Sequence, residues 1–204
     1  MNWLACFFIN CMLGLKLPTD PRWVNIVEKN IEEILTDHAY CEQKAASNAI
    51  SVIVKFPQYP DVVEAMGELV KEEMEHFQMV HRELLKRGLS LGRERKDAYI
   101  HDLLAFIRKG GNEEQQFVER MLFAAMVEAR SCERFRLLSE QISDPELRVF
   151  YRELMESEAR HYTMFLQFAK KYAKRIDVDQ RWKEFLAYEA TLMHKYGKEG
   201  TMHG

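Results

Sequence analysis

The chain contains little glycine and proline, the residues that interrupt regular secondary structure. Only 9 glycines and 5 prolines occur among its 204 residues, and runs of β-branched residues are few. Because glycine and proline disfavour helix interiors and β-branched runs favour strands, this composition favours helix throughout. No low-complexity tract and no glycine-rich phosphate-binding loop is present, so nothing in the sequence indicates a nucleotide cofactor or a second domain. We therefore predict a single all-α domain over residues 1–204.

Cysteine motifs and long apolar runs are also missing. The four cysteines, Cys6, Cys11, Cys41 and Cys132, form no Cys-x-x-Cys pair, a pattern typical of reduced thiols in a cytosolic protein. The apolar stretch at residues 1–14 lacks a preceding basic region and is too short to span a bilayer. We predict a cytoplasmic protein with no membrane association, in which this stretch packs against the other helices.

The chain has a small excess of negative charge rather than a basic surplus. Its formal net charge of −3 at pH 7 argues against a protein wrapped generally in nucleic acid but is compatible with a local basic patch. The first basic cluster consists of Arg87, Arg93, Arg95 and Lys96, and the second of Lys170, Lys171, Lys174 and Arg175. Such runs are usually solvated helix faces. They become candidate contacts only if the substrate is an RNA, whose phosphates need lysine or arginine partners.

Capping residues and turn residues divide the chain into four long helices and two shorter ones. In chain order the predicted helices begin near Asp20-Pro21, Asp61, Asp97, Asn112, Asp144-Pro145 and Val178. The second helix is predicted to run to Gly88 and the last to end near Tyr196, after which the C-terminal tail is expected to fray. The long helices form two weakly repeated pairs, joined by a crossover that contains the first short helix. This pattern predicts an all-α four-helix bundle with additional short helices.

Six residues at repeated spacings are candidate metal ligands. In each half of the chain a lone glutamate precedes a Glu-x-x-His pair, and the interval to that pair is 73 − 42 = 31 residues in the first half and 158 − 128 = 30 in the second. Glu and His at i, i+3 share one helical face, and each lone glutamate lies in an apolar helical stripe. Four carboxylates and two imidazoles that project inward from four helices form the di-iron or di-manganese centre of ferritin-like bundles. The six predicted ligands are Glu42, Glu73, His76, Glu128, Glu158 and His161.

The same pattern predicts a role for each ligand. We expect the glutamate of each Glu-x-x-His pair to bridge the two metals, each lone glutamate to be a terminal ligand and each histidine to bind one metal. His38 lies one turn before Glu42 on the same helical face, and we interpret it as a core residue or a partner of a ligand rather than as a ligand itself. Other glutamates near these positions are expected to be solvated; they are Glu72, Glu75, Glu133 and Glu156.

Four local motifs resemble those of a known family. Residues 37–47 read DHAYCEQKAAS, and residues 72–77, 128–135 and 157–162 read EEMEHF, EARSCERF and SEARHY. These motifs are similar to the four ligand motifs of the MiaE family of bacterial tRNA hydroxylases, and the resemblance covers about residues 15–200. It implies that the six ligands hold two iron ions in a carboxylate-bridged centre.

The resemblance also implies the reaction and its partners. The family's reaction is an O2-dependent monooxygenation in which O2 is a co-substrate. It hydroxylates the isopentenyl group of 2-methylthio-isopentenyladenosine, beside the anticodon of a tRNA. No flavin or nicotinamide motif is visible in the sequence, so the electrons are expected to come from a separate reductase or ferredoxin. With a tRNA as substrate, both basic clusters become candidate tRNA contacts.

Two other classes of protein use the same ligands. A rubrerythrin-like peroxidase or a manganese catalase would have this carboxylate shell without an RNA substrate, and a ferritin-like iron store would have it within a large symmetric cage. The lack of a rubredoxin-type cysteine cluster disfavours a fused rubrerythrin. Ligand spacing leaves these alternatives open, whereas the local motifs favour the hydroxylase.

Overall fold

A computed structural model of the chain describes residues 13–196 and 201–203. The predicted packing of the apolar N-terminal stretch concerns residues that lie almost entirely outside these ranges. Seven helices have their bounds within the described residues, where no strand occurs, so the predicted all-α class is confirmed. They are α1 (Trp23–Lys29), α2 (Ile31–Lys55), α3 (Pro60–Lys86), α4 (Ala98–Ala105), α5 (Glu113–Gln141), α6 (Pro145–Tyr172) and α7 (Val178–Met193).

The described residues form two compact units, and each is built around one pair of long helices. The α2–α3 unit comprises residues 27–96 with 201–202, and the α5–α6 unit comprises residues 13–26, 97–196 and 203. In each pair a connection of only a few residues joins consecutive helices that pack along each other, so the two helices run antiparallel. The prediction of one domain over the whole chain stays a prediction.

The first predicted helix is divided in two at Asn30. The backbone N–H of Asn30 donates to the carbonyl of Val27 at 2.9 Å, which tightens the end of α1, and its own carbonyl accepts from Ile34 N–H at 3.0 Å in the first turn of α2. Asparagine favours such ends because its side chain and backbone tolerate non-helical conformations. The sequence pattern concealed this break, since the apolar stripe continues across it.

Helix α3 begins one residue earlier than predicted. Pro60 is its first residue and Tyr59 is its N-cap, so Asp61, the predicted cap, lies inside the first turn. Proline is favoured at this position because its missing N–H would have no helical partner and its φ angle already suits a helix. Asp61 still contributes a negative charge near the positive end of the helix dipole.

The other end of α3 is closed by a glycine in the left-handed region. Gly88 has φ 69°, and its N–H donates to the carbonyl of Leu85 at 3.0 Å. The next N–H, that of Leu89, donates to the carbonyl of Leu84 at 3.0 Å. Together these bonds form a Schellman motif, which satisfies the last carbonyls of the helix. The predicted helix end near Gly88 is therefore confirmed to within two residues.

Polar side chains cap the helices of the α5–α6 unit, and these helices begin within one residue of the predicted starts. Each N-cap side chain accepts a hydrogen bond from a backbone N–H in the first helical turn, and the caps are Asp97, Asn112, Asp144 and Asp177. At the start of α5, Asn112 and Gln115 form a reciprocal capping box with both bonds at 2.9 Å. Helices α4 and α7 pack against α5 and against each other.

A buried ion network lies within the α5–α6 unit. Arg130 donates to Glu133 at 3.0 Å and to Glu189 at 2.8 Å, and Glu133 also accepts hydrogen bonds from the backbone N–H and the hydroxyl of Thr19 at 3.1 and 2.6 Å. Glu133 is only 1% exposed, so the prediction that it is solvated was wrong. Its donor Thr19 is distant in sequence, as is Glu189, the other carboxylate bound by Arg130, and a buried carboxylate is stable only when donors or cations compensate its charge.

Residues 201–203, the described part of the C-terminal tail, are packed against the protein. The prediction that the tail is frayed was wrong for these residues. His203 is 2% exposed, and its Nδ1 lies 2.9 Å from Asp97 Oδ2 while its Nε2 lies 3.2 Å from Ser131 Oγ. Its ring also stacks on Tyr99 with centroids 5.5 Å apart. These side chains are far from residue 203 in sequence, which is why no local pattern predicted the contact.

Replacing each of the two glycines of the α3 region by alanine should change the free energy of unfolding in opposite directions. Gly88→Ala should lower the free energy of unfolding by about 1 kcal/mol, because its φ of 69° is unfavourable for a residue with a Cβ. Gly67→Ala should raise it by about 0.5–1 kcal/mol, because Gly67 lies inside α3 and an added Cβ would meet nothing within 4 Å. Urea denaturation of the metal-free proteins measures both, and shifts of the same sign would contradict the helix-end assignment.

Candidate metal centre

The α2–α3 unit brings three predicted ligands together as the first half-site: Glu42 on α2, with Glu73 and His76 on α3. All three side chains are buried, and each offers a ligand atom within 4.8 Å of the others. His76 Nδ1 lies 3.3 Å from Glu73 Oε2 and 3.8 Å from Glu42 Oε2. The i, i+3 spacing therefore places Glu and His side by side, as predicted.

The apolar pattern of each helix explains why these polar side chains point inward. Glu73 and His76 lie on the α3 stripe between the buried residues Leu69 and Val80, and Glu42 lies on the buried face of α2. Amphipathic helices turn such a stripe toward the core. Burying a carboxylate there is costly unless a cation or hydrogen-bond donor compensates the charge.

The α5–α6 unit contains the second half-site, which consists of Glu128 on α5 with Glu158 and His161 on α6. These three side chains are also buried and offer ligand atoms within 4.8 Å of one another. His161 Nδ1 lies 3.8 Å from Glu158 Oε2. The other oxygen of this carboxylate, Oε1, is buried and receives no hydrogen bond from the part of the chain that the structure describes.

The donor atoms of each half-site fit a transition-metal ion. Two carboxylates and one imidazole are ligands that suit iron or manganese, whereas softer metals prefer thiolates and thioethers. The buried Glu158 Oε1 has no protein donor among the described residues, so a cation would compensate a charge that the surrounding residues leave uncompensated. Each half-site is thus a buried cluster compatible with metal binding.

Two further groups beside the second half-site remain protonated at neutral pH. Burial raises the pKa of the Cys132 thiol to about 12, and this thiol donates to the carbonyl of Met155 at 3.5 Å. Burial likewise raises the pKa of Tyr162 to about 12, and its ring packs against Trp182 with centroids 5.9 Å apart.

Comparison with known proteins agrees with the local motifs. The family model of tRNA-(MS2IO6A)-hydroxylase (MiaE) matches residues 9–204. The tRNA 2-(methylsulfanyl)-N(6)-isopentenyladenosine(37) hydroxylase of Pseudomonas putida is 34% identical over 195 residues, which cover 96% of this chain and 93% of that protein. The chain belongs to the MiaE family. A hydroxylase of the same name from Salmonella typhimurium is 26% identical, with 93% of this chain and 87% of that protein covered.

A solved structure supports the fold class. It is Protein 43 with aldehyde deformylating oxygenase activity from Synechococcus, which is 34% identical and has a TM-score of 0.86 over 93% of this chain and 95% of that one. The predicted ferritin-like all-α fold is confirmed. Membership in the MiaE family also confirms the predicted activity class, a tRNA hydroxylase.

The first basic cluster of this MiaE-family chain lies at the end of α3 and in the loop that follows it. Arg87 pairs with Glu83, and Arg95 pairs with Glu33 at 2.7 Å. The cluster's other members, Arg93 and Lys96, are exposed. Two of the four members are therefore in ion pairs, and three of the four, Arg95 included, are exposed.

The loop of the first basic cluster is anchored on α2, which sequence reasoning missed. The hydroxyl of Tyr40 donates to the carbonyl of Gly92 at 3.0 Å, and the N–H of Gly92 donates to Thr36 Oγ1 at 3.3 Å. Thr36 and Tyr40 are one turn apart on the helix that carries Glu42. Their i, i+4 spacing was visible in the sequence, but nothing local indicated that a glycine 52 residues after Tyr40 is their partner.

The second basic cluster lies in the other unit, at the end of α6. Its members are exposed, and Lys170 pairs with Asp179 at 2.7 Å. The backbone N–H groups of Lys174 and Arg175 donate to Glu114 at 2.6 and 2.7 Å, which leaves their side chains uninvolved in that contact.

None of the described helices combines the length and the apolar character that crossing a bilayer requires.

Metal binding should stabilise the protein. Because each half-site buries two carboxylates, a bound cation relieves their repulsion and binds only the folded chain. Adding Fe(II) under anaerobic conditions at about 100 times its Kd should stabilise the metal-free protein by about 2.7 kcal/mol for each ion bound, which corresponds to a rise in Tm of roughly 5–10 °C per ion. Differential scanning calorimetry measures the rise.

A variant in which a neutral amide replaces a ligand carboxylate is the control for this experiment. Glu158→Gln keeps the shape of the side chain but removes its charge, so it should raise the Tm of the metal-free protein and reduce the shift on adding Fe(II). Identical Tm values for metal-free and metal-loaded wild-type protein would count against a buried metal site.

Proposed function

We propose that this chain is an O2-dependent non-haem di-iron monooxygenase that hydroxylates the isopentenyl group of 2-methylthio-isopentenyladenosine next to the anticodon of tRNA. The observation that carries the proposal is the pair of buried Glu, Glu, His half-sites in a chain of the MiaE family. Equivalent half-sites on two repeated helix pairs match the ligand pattern of carboxylate-bridged di-iron bundles.

Both half-sites together would hold two iron ions. In this assignment Glu73 and Glu158 would be bridging ligands, Glu42 and Glu128 would be terminal ligands, and His76 and His161 would each bind one ion. Bound iron would supply the activation of O2, the co-substrate, which protein side chains cannot perform alone. The residue assignment is supported by the spacing and burial of the six side chains.

The contribution of the chain itself is ligation, exclusion of water and binding of the prenyl group. Buried apolar residues flank the ligands on the same helical faces, such as Leu69 and Val80 on α3 and Leu154 and Phe165 on α6. Water exclusion strengthens the electrostatic interactions of the ligands and limits side reactions.

The proposed reaction needs partners outside this chain. A separate reductase or ferredoxin would deliver electrons, and the tRNA would be a macromolecular substrate in the cytoplasm. The prenylated base would leave the anticodon-loop stack to bring its side chain to the metals, as enzymes that act on bases generally require. The basic clusters, seven of whose eight members are exposed, would hold the phosphates.

A second candidate substrate comes from the solved neighbour, whose title names aldehyde deformylating oxygenase activity. A fatty aldehyde is therefore the competing substrate to assay beside modified tRNA. Hydrogen peroxide turnover tests the peroxidase and catalase alternatives, and size-exclusion chromatography tests a ferritin-like cage. Aldehyde or peroxide turnover without any tRNA hydroxylation would overturn the proposed function.

Removing one ligand should abolish hydroxylation together with metal binding. Glu73→Ala should reduce the iron content below two ions per chain and eliminate the hydroxylated nucleoside, because its carboxylate is assigned to both metals. Mass spectrometry of tRNA nucleosides after incubation with Fe(II)-loaded protein, O2 and a reducing system measures the product. Glu75→Ala is the matched control, since Glu75 is an exposed glutamate on the same helix. Two irons per chain in the Glu73→Ala variant would refute the ligand assignment.

Charge reversal of the first basic cluster should weaken tRNA binding without changing iron content. The triple variant Arg93→Glu, Arg95→Glu, Lys96→Glu removes three cationic groups. The slope of log K against log salt should therefore fall by about 1 for each lost phosphate contact. A control triple, Lys29→Glu, Lys55→Glu, Lys71→Glu, makes the same change in net charge at exposed positions elsewhere. Equal losses of affinity in both triples would indicate a general charge effect rather than docking at this loop.

A further inference from the structure

A buried histidine contacts one of the candidate ligands directly. His38 and Glu42 are one turn apart on α2, and His38 Nε2 lies 2.6 Å from Glu42 Oε1. Their side chains are 0% and 5% exposed, so water does not compete for this hydrogen bond. An imidazole N–H donating to a buried carboxylate at this distance is a strong, charge-assisted contact.

The two oxygens of Glu42 have different partners. Oε1 contacts His38, whereas Oε2 faces the other two residues of the first half-site: it lies 3.8 Å from His76 Nδ1, which itself lies 3.3 Å from Glu73 Oε2. A carboxylate that accepts a hydrogen bond on one oxygen is oriented about its terminal torsion. Oε2 is therefore the oxygen presented to a metal.

The second half-site lacks this arrangement on its own helix. The residue four positions before Glu128 is Ala124, which is buried and has a methyl group that cannot donate a hydrogen bond. Four positions after Glu128 is Cys132, whose thiol donates instead to the carbonyl of Met155 at 3.5 Å. Each half of the chain supplies three candidate ligands of the same kinds, but the second half has no histidine at the position that matches His38.

We propose that His38 is a positioning residue that holds Glu42 as a monodentate ligand through Oε2. The proposal rests on the proposed metal centre. With Oε1 held by His38, Glu42 would occupy one coordination position of the metal in the first half-site rather than two. The position left open would be accessible to an exogenous ligand.

A pair of amide substitutions tests the hydrogen bond without large changes in volume. In His38→Gln the amide nitrogen lies about where Nε2 of histidine lies, so it can still donate to Glu42. In His38→Asn the amide is one methylene shorter and cannot reach Oε1. The control is His101→Gln, because the side chain of His101 is 83% exposed. Both His38 variants place an amide in the same buried position, so any loss of folding stability caused by a buried amide should be similar in the two.

Cobalt(II) provides a readout that does not depend on activity. Wild-type protein, His38→Gln and His101→Gln should bind two Co(II) ions per chain with the same visible absorption spectrum. His38→Asn should bind one of the two ions about 10–100-fold more weakly, the usual cost of losing a partner of a ligand. Its spectrum should lose intensity, because a chelating Glu42 raises the coordination number of that ion.

The outcomes separate this inference from the proposed function. If wild-type protein binds two Co(II) ions and His38→Asn matches it in affinity and spectrum, the positioning role of His38 is wrong while the metal centre stands. If His38→Gln shows the same loss as His38→Asn, the imidazole acts through something other than the Nε2 hydrogen bond, and the proposal is also overturned. If wild-type protein binds fewer than two ions, the proposed metal centre fails and the role of His38 fails with it.

Discussion

Burial of carboxylates inside helix pairs is the constraint on which the rest of this structure depends. A buried negative charge is costly unless a cation or several hydrogen-bond donors compensate it. The chain buries Glu42, Glu73, Glu128 and Glu158 on the faces that its apolar stripes turn inward. Packing alone therefore favours the arrangement of the helices while electrostatics opposes it, and a bound metal ion removes the conflict.

The α5–α6 unit contains two different solutions to this problem. On one face of α5, Arg130 supplies a permanent cation to Glu133 and Glu189, with Thr19 adding two hydrogen bonds to Glu133. At the second half-site, Glu158 Oε1 has no such donor among the described residues. In the first arrangement a cation inside the protein compensates both carboxylates, although Glu189 Oε2 is itself a buried oxygen with no donor among the described residues, and removing one partner would leave an uncompensated buried charge. At the second, a bound cation would supply the compensation.

Sequence patterns predicted those features that depend on neighbours within about one helical turn. The Glu-x-x-His pairs, the proline and aspartate at the start of α6 and the glycine after α3 are all local, and the structure has them where the sequence placed them. The break at Asn30 was missed because periodicity records which face is apolar and not whether the backbone is continuous. The burial of Glu133 and the docking of His203 were missed because their partners are distant in sequence. A residue's own helix cannot reveal a partner that another segment supplies.

The contact between His38 and Glu42 lies at the boundary between these two cases. It spans only i, i+4, so the sequence showed that the residues share a face, yet the spacing could not distinguish a packed histidine from one that donates to a carboxylate. The distance of 2.6 Å and the burial of both side chains make that distinction. The matching position in the second half is Ala124, whose methyl group cannot donate a hydrogen bond. In a chain built from two similar helix pairs, residues adjacent to the ligands are where the halves can diverge without losing the site, so chemical asymmetry is to be sought there.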